Sequence, residues 1–515
     1  MSVYLDDLHA PIDSRIGVHD ANQFEVKLDY AIDPAREQSR YRIEAYFFVP
    51  SSLGINPQTY SREQFYTDIQ AYIRFKTPSV SLVSLCDPNN VESPLWRIQM
   101  LLPSGGRSRD SGTLERLSYE LRLLACLIRA QVRDRALAAC LLLRELPATL
   151  PRRAHGLRAF SHACASLVDE LSITLRACRD LRPRFMASQL PPWLREVYEY
   201  VDEYLSVACE AQLTMILDAV DQAPEATSSL RSSRQRLVEL LSREQGSRQP
   251  GSDVSAYVPP QGDESHLYRR GLLKKFIMSV LFLEVSKQRE DRAVDFAAAM
   301  AAGIAMLFAS IAAMATQRRY ALNSWPFVGA LVASYVLKDR LKDWTKRYFA
   351  ARLTQHLWDY NVRIEDPHTR RTLGRCREAF SHLSSAQVPA DVLQCRFAQA
   401  LSTLEKDLKR EKVLRYEKDV YLLGRTIGSL YGRLHEINDI IRFNIATFLT
   451  RTDDPVRSLR FYDPSSDSVR AVDCPKVYHL NVVFVLRADD GGEPRHIERV
   501  RVVLDKRGIR RIESS

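Results

Sequence analysis

The residues best placed to do chemistry are His435, Glu436 and Asp439 in the run HEIND. On a helix His435 and Asp439 share one face, and an imidazole beside a carboxylate is a start on a metal site. Two ligands do not complete one, and neither an HExxH helix nor a paired CxxC supplies the rest. The run therefore reads as a solvated polar face carrying a helical ion pair. Cys126 with Cys140, and Cys164 with Cys178, stand fourteen residues apart, which keeps each pair on one helical stripe. Free cysteines on such a stripe are small buried hydrophobes. His155 and His162 lie near the second pair without ligand spacing, and Ser161 beside His162 makes no dyad, because adjacent helix residues point apart. No GxxxxGKS/T loop occurs, nor a GxGxxG after a strand. The expectation is a protein with no catalytic site, no cofactor and no metal.

Gly424, Gly428 and Gly432 recur four apart in GRTIGSLYG. Each glycine inside a helix costs about 1 kcal/mol against alanine. Close packing by another helix is the simplest compensation. These residues belong to an expected long helix from about Ala390 to Thr450, preceded by one over Thr372–Ser384. Leucines at three-four spacing from Leu114 onward, interrupted at Pro147, Pro151 and Pro183, predict an antiparallel bundle with helices near 113–146, 155–181, 192–220 and 227–243. At the N-terminus Phe24, Val26, Leu28 and Tyr30 alternate with polar residues, as do Tyr41, Ile43, Ala45, Phe47 and Val49, which predicts a strand hairpin. Ser61 and Gln64 resemble a helix-capping pair. Alternation returns in Tyr478, Leu480, Val482, Phe484 and Leu486, and in Val500, Val502 and Leu504, so both chain ends are read as contributing to one sheet.

The centre of the chain is apolar. Phe296–Gln317 carries no charge, Arg318 and Arg319 follow, and Tyr320–Leu337 is again uncharged. A bilayer-spanning helix needs about 20 apolar residues, so the sequence predicts a two-helix transmembrane hairpin, with spans about 296–317 and 320–337. Ala298, Ala302, Ala305 and Ala309, with Gly329 and Ala333, form small-residue faces that let helices approach, within the hairpin or between copies. The predicted fold is mainly α with β-rich termini around this hairpin and a cytoplasmic bundle. Its segments are a β-rich domain (1–103), the bundle (104–244), a flexible linker (245–264), the hairpin with basic flanks (265–360), a long helical segment (361–452) and a β-rich C-terminal segment (453–515).

The 515-residue chain has 26% charged residues, a net charge of +10 and nine cysteines. With that much charge, most of the mass is expected to lie in water rather than in membrane spans. The first residues carry no signal-peptide pattern. Lysines and arginines crowd both sides of the hairpin, so the positive-inside rule puts both long arms in the cytoplasm of a multi-pass inner-membrane protein. An odd number of scattered cysteines agrees with a reducing compartment. Lys274, Lys275, Lys338, Arg340 and Lys342 are expected to meet anionic lipid headgroups, which accounts for the basic charge without nucleic acid. The functional expectation is a membrane-anchored scaffold, assembly or signalling protein, with a possible homo-oligomer and a protein partner of unspecified kind. A membrane-perturbing, channel-like oligomer and a membrane-tethered enzyme of unspecified class are the alternatives.

Overall fold

The structure, a computed structural model, describes residues 12–102, 110–146, 150–187, 190–223, 228–247, 264–289, 292–319, 324–353, 358–398, 411–431, 434, 436–488 and 496–514. Its contacts divide the chain into two units: Met1–Arg74 with Leu283–Ser515, and Phe75–Phe282. A helical unit is thus inserted into a β unit.

Among the described residues the β unit holds fourteen strands. In chain order they are β1 (Ile12–Asp20), β2 (Gln23–Ala31), β3 (Ser39–Pro50), β4 (Ile69–Phe75), β5 (Glu284–Arg289), β6 (Tyr360–Glu365), β7 (Thr372–Leu383), β8 (Glu411–Leu422) and β9 (Glu436–Asn444). They continue with β10 (Val456–Asp463), β11 (Ser468–Pro475), β12 (Tyr478–Ala488), β13 (His496–Asp505) and β14 (Gly508–Ser514). Eight of them make an antiparallel sheet in the order β14-β13-β12-β3-β8-β7-β6-β5, and four make a second in the order β1-β2-β9-β4. The remaining hairpin, β10–β11, is exposed on both faces. Period-two alternation aims one row of each strand between the two larger sheets. There Phe47 of β3 meets Phe443 of β9 with ring centroids 5.0 Å apart, and Tyr30 of β2 stacks on Tyr41 of β3 at 5.1 Å. Phe65, fully buried in the Arg62–Asp68 helix, stacks on Phe380 of β7 at 4.2 Å and closes this aromatic core. Ser61 caps that helix by accepting a hydrogen bond from the Gln64 amide, as the sequence suggests.

Three expectations are corrected. The region from Thr372 to Thr450 is not two helices: β7, β8 and β9 run through it. Its Leu, Glu, Lys and Arg content favours helix locally, but propensity is a weak prior against partners that complete a buried sheet. The alternating burial of Cys376, Glu378 and Phe380 shows which force won. Secondly, β2 and β3 do not pair with each other; β2 pairs with β1 and β9, while β3 pairs with β8 and β12. The connection between them crosses from one sheet to the other. Thirdly, strands are not confined to β-rich ends: helix remains the larger share, but the strands run through both halves of the β unit. The chain ends do share a sheet: β3 and β12 are antiparallel neighbours, with Phe47 opposite Val482.

The crossing connection explains two glycines. Gly424 and Gly428 lie in a short helix, Gly424–Leu430, against the Asp33–Arg36 turn. A Cβ on Gly424 would stand 2.2 Å from the Asp33 carbonyl oxygen and 2.7 Å from that of Arg36; on Gly428 it would meet Pro34 at 2.7 Å. The cost of glycine is offset by close approach, but of a loop rather than a helix. Gly432 falls outside the described residues. Overpacking of this kind costs about 1–3 kcal/mol, so Gly424→Ala should lower the urea midpoint of the β unit, followed by near-ultraviolet circular dichroism. Gly271→Ala, inside a helix with open space around its Cβ, is the control and should hold or raise stability rather than lower the midpoint.

The helical unit contains Ser111–Arg144, Leu150–Arg179, Pro192–Asp221, Ser228–Ser247 and Glu264–Met278, the first four close to the spans expected from the leucine spacing. Arg179 crosses from the second of these to the buried Glu244 of the fourth at 2.6 Å. Cys126, Cys164 and Cys178 are buried and Cys140 half-buried. Burial pushes the Cys164 thiol up to about 12, which keeps it protonated and inert.

Candidate functional site

Two places in the β unit stand apart. One is a pair of apolar helices, Arg292–Arg319 and Trp325–Leu353, that leaves the sheet edge after β5 and returns at β6. Alanine-rich sequence makes the first helix apolar on all sides, and it is exposed. The most apolar 18-residue window of its segment Ala298–Arg319 has mean hydropathy 2.0, and only 11% of that window is buried. Met300, Ile304, Met306, Leu307, Ile311 and Met314 all face outward. A soluble core helix would bury such side chains.

The structure corrects the two-helix transmembrane hairpin: among the described residues one helix, not two, is long and apolar enough to cross a membrane. The second helix begins at Trp325, and its charge-free part ends at Leu337. At 1.5 Å per residue that is about 20 Å, short of a hydrocarbon core of about 30 Å. From Lys338 onward the same helix is charged, with Arg340 and Lys342 exposed and the Lys338 ammonium 3.8 Å from the centre of the Tyr335 ring. The residues Tyr320–Asn323, expected to open the second span, lie outside the described ones.

The small-residue faces divide. Ala305 is covered, as is Ala301, at 2% and 0% exposure. Ala298 and Ala309 are half-buried and Ala302 is exposed. Gly329 and Ala333 are exposed too, and a Cβ on Gly329 would meet nothing within 4 Å. The headgroup residues also divide. Lys274 and Lys275 are exposed on the Glu264–Met278 helix of the helical unit, whereas Lys338, Arg340 and Lys342 belong to the β unit. No continuous helix leads from the former into the apolar pair, because Glu284–Arg289 is strand β5.

The second place is a polar cluster between the two sheets. Asp439 is not on a solvated helix face; it is on β9 at 0% exposure, and Glu436 opens the same strand. His435 is outside the described residues. Lys418 of β8, 1% exposed, reaches across the sandwich and donates to Asp439 Oδ2 at 2.5 Å. The Tyr30 hydroxyl donates to the same oxygen at 2.9 Å. Glu378 of β7 stands directly opposite Lys418 in the sheet register, with Oε1 3.9 Å from the ammonium. Lys287 of β5 donates to the other Glu378 oxygen at 3.3 Å. Asp439 Oδ1 accepts no hydrogen bond among the described residues. Burial works against the Lys418 charge, but the adjacent Asp439, with Glu378, outweighs it and holds the ammonium above its usual value. Burial beside Asp439 likewise keeps the Tyr30 phenol protonated.

Sequence reasoning missed this cluster, although the signal is simple. In β8 the inward row reads Leu414, Tyr416, Lys418, Val420, Leu422, and in β9 it reads Ile437, Asp439, Ile441, Phe443. Each apolar row has one charge out of place. No group of three or more metal-ligating side chains occurs among the described residues. No protein-family model matches the chain, and no curated protein or solved structure is similar to it. The α+β arrangement and its two places must carry the functional reading.

Proposed function

We propose that this protein is a membrane-attached scaffold or assembly protein, held at a lipid surface by the Ala298–Arg319 helix. The observation that carries the reading is the outward display of that helix's large apolar side chains. Burying an apolar surface of this size in lipid is favourable at roughly 25 cal/mol per Å², and an exposed patch so large marks an interaction surface. Arg318 and Arg319 end the helix, where long basic side chains reach headgroups. β5 and β6, which flank the helical pair, are hydrogen-bonded to each other, so the apolar helix leaves the β unit from one sheet edge. The basic run from Lys338 fits anionic headgroups, at about 1 kcal/mol per lysine or arginine. The inner face of a cytoplasmic membrane meets both requirements and agrees with nine cysteines that form no disulfide among the described residues.

The full-length chain should float with vesicles containing anionic phosphatidylglycerol and resist carbonate extraction. Recovery as a soluble monomer without detergent would overturn the proposal. So would a soluble oligomer, since copies of the chain rather than lipid would then cover the helix.

A further inference from the structure

The buried cluster is not needed for membrane attachment, and its geometry suits a reaction. We propose that Lys418 and Asp439 condense within the folded protein to a side-chain amide that ties the two sheets together covalently.

Four observations carry this. The lysine nitrogen and the aspartate carboxyl are already in contact, at 2.5 Å, from strands of opposite sheets. Both are withdrawn from water, at 1% and 0% exposure. A second carboxylate, Glu378, lies 3.9 Å from the same nitrogen, and Lys287 pairs with it from the other side. The Tyr30 hydroxyl points at Asp439 Oδ2, while Oδ1 lacks any hydrogen bond among the described residues. An ion pair in a dry interior loses much of its advantage to desolvation, and an unsatisfied carboxylate oxygen adds to that cost. An amide removes both charges and one oxygen.

The steps balance without any outside reagent. A proton passes from the Lys418 ammonium to Asp439 along their hydrogen bond, leaving a neutral amine and a carboxylic acid. A small rotation of the lysine chain brings the amine lone pair onto Asp439 Cγ. As the new C–N bond forms, the nitrogen gives a second proton to Glu378, and negative charge develops on Oδ1. The C–Oδ2 bond then breaks, with Glu378 returning its proton to the Oδ2 hydroxyl, which the Tyr30 hydroxyl holds by its hydrogen bond. The products are an amide and one water, and Glu378 ends as it began. Glu378 is thus a proton relay and Tyr30 a support for the leaving oxygen. Holding the two groups in contact supplies an effective molarity of about 10⁵–10⁸ M, which offsets the usual resistance of amines and carboxylates to condensation in water.

Intact mass spectrometry of the purified full-length chain tests it. The expected mass is that of the sequence less one water, with a branched peptide joining the β8 and β9 segments after proteolysis. Glu378→Gln should remain folded by circular dichroism and show the full, uncondensed mass. Asp439→Asn should reach the same crosslinked mass as the unsubstituted chain, by losing ammonia instead of water. A folded, unsubstituted protein with the full sequence mass overturns the proposal. So does a crosslink that persists at full yield in Glu378→Gln, or one that maps to other residues.

Discussion

Lys418→Met should destabilise the β unit by about 3–5 kcal/mol, the usual result of stripping one partner from a buried ion pair. Methionine fills nearly the same volume, so the loss is not a cavity effect. What remains is a carboxyl at 0% exposure whose only described hydrogen bond comes from Tyr30. That group must either be buried charged or take up a proton, and both are unfavourable relative to water. The direction holds whether Lys418 and Asp439 are an ion pair or an amide, because either state leaves Asp439 stranded when lysine is absent. The triple variant K418M/D439L/Y30F removes every group of that contact together and should recover the part of the loss due to stranded polarity. Glu378 keeps Lys287 at 3.3 Å in this variant. Any deficit that persists against the unsubstituted chain then measures the covalent tie. Urea denaturation, followed by a signal from the β unit alone, separates the three proteins. A single variant as stable as the triple would refute the buried-pair account.

How much of this was legible in the sequence depends on which pattern carried it. The leucine spacing from Leu114 gave the bundle helices because their burial repeats at three and four residues, as in Leu117, Leu121, Leu124 and Ile128. Strands with clean alternation, such as Gln23–Ala31 and Tyr478–Ala488, were equally plain, but their partners were not. Pairing of β3 with β12 joins residues over 430 positions apart in sequence, and local pattern carries no information about it. β7, β8 and β9 were misread because Lys418, Asp439 and Glu378 break the apolar row at the places where the cluster sits. A strand with a charge in its inward row looks like a polar helix face. The element was therefore lost for the same reason that the cluster exists. Gly424 and Gly428 do sit at a close approach, yet a loop at Asp33–Arg36 rather than a helix makes it, and nothing in GRTIGSLYG specifies which backbone arrives. The apolar centre was read as two spans because Tyr320–Leu337 was counted as one helical run, whereas the described helix starts at Trp325.

That shortened second helix concentrates the membrane argument on the first, and Leu307→Lys with Ile311→Lys should abolish attachment. Both side chains are exposed, at 63% and 59%, near the middle of Ala298–Arg319. Neither substitution disturbs the covered Ala301 and Ala305. A lysine at the centre of a membrane helix costs about 2.5–3.5 kcal/mol on insertion scales. Two such residues therefore weaken partitioning by roughly four orders of magnitude, at 1.4 kcal/mol per tenfold, enough to move the protein from the floating to the soluble fraction. In water the same two lysines replace exposed apolar groups, so folding should be unchanged or improved and circular dichroism should not move. Placing the pair instead at Arg340 and Lys342, as glutamates, tests the headgroup contribution separately. It should weaken binding to anionic vesicles, at about 1 kcal/mol for each basic residue lost, and leave binding to neutral ones much as it was. If Leu307→Lys with Ile311→Lys leaves flotation intact but changes sedimentation mass, a second copy of the chain covers this helix and lipid does not.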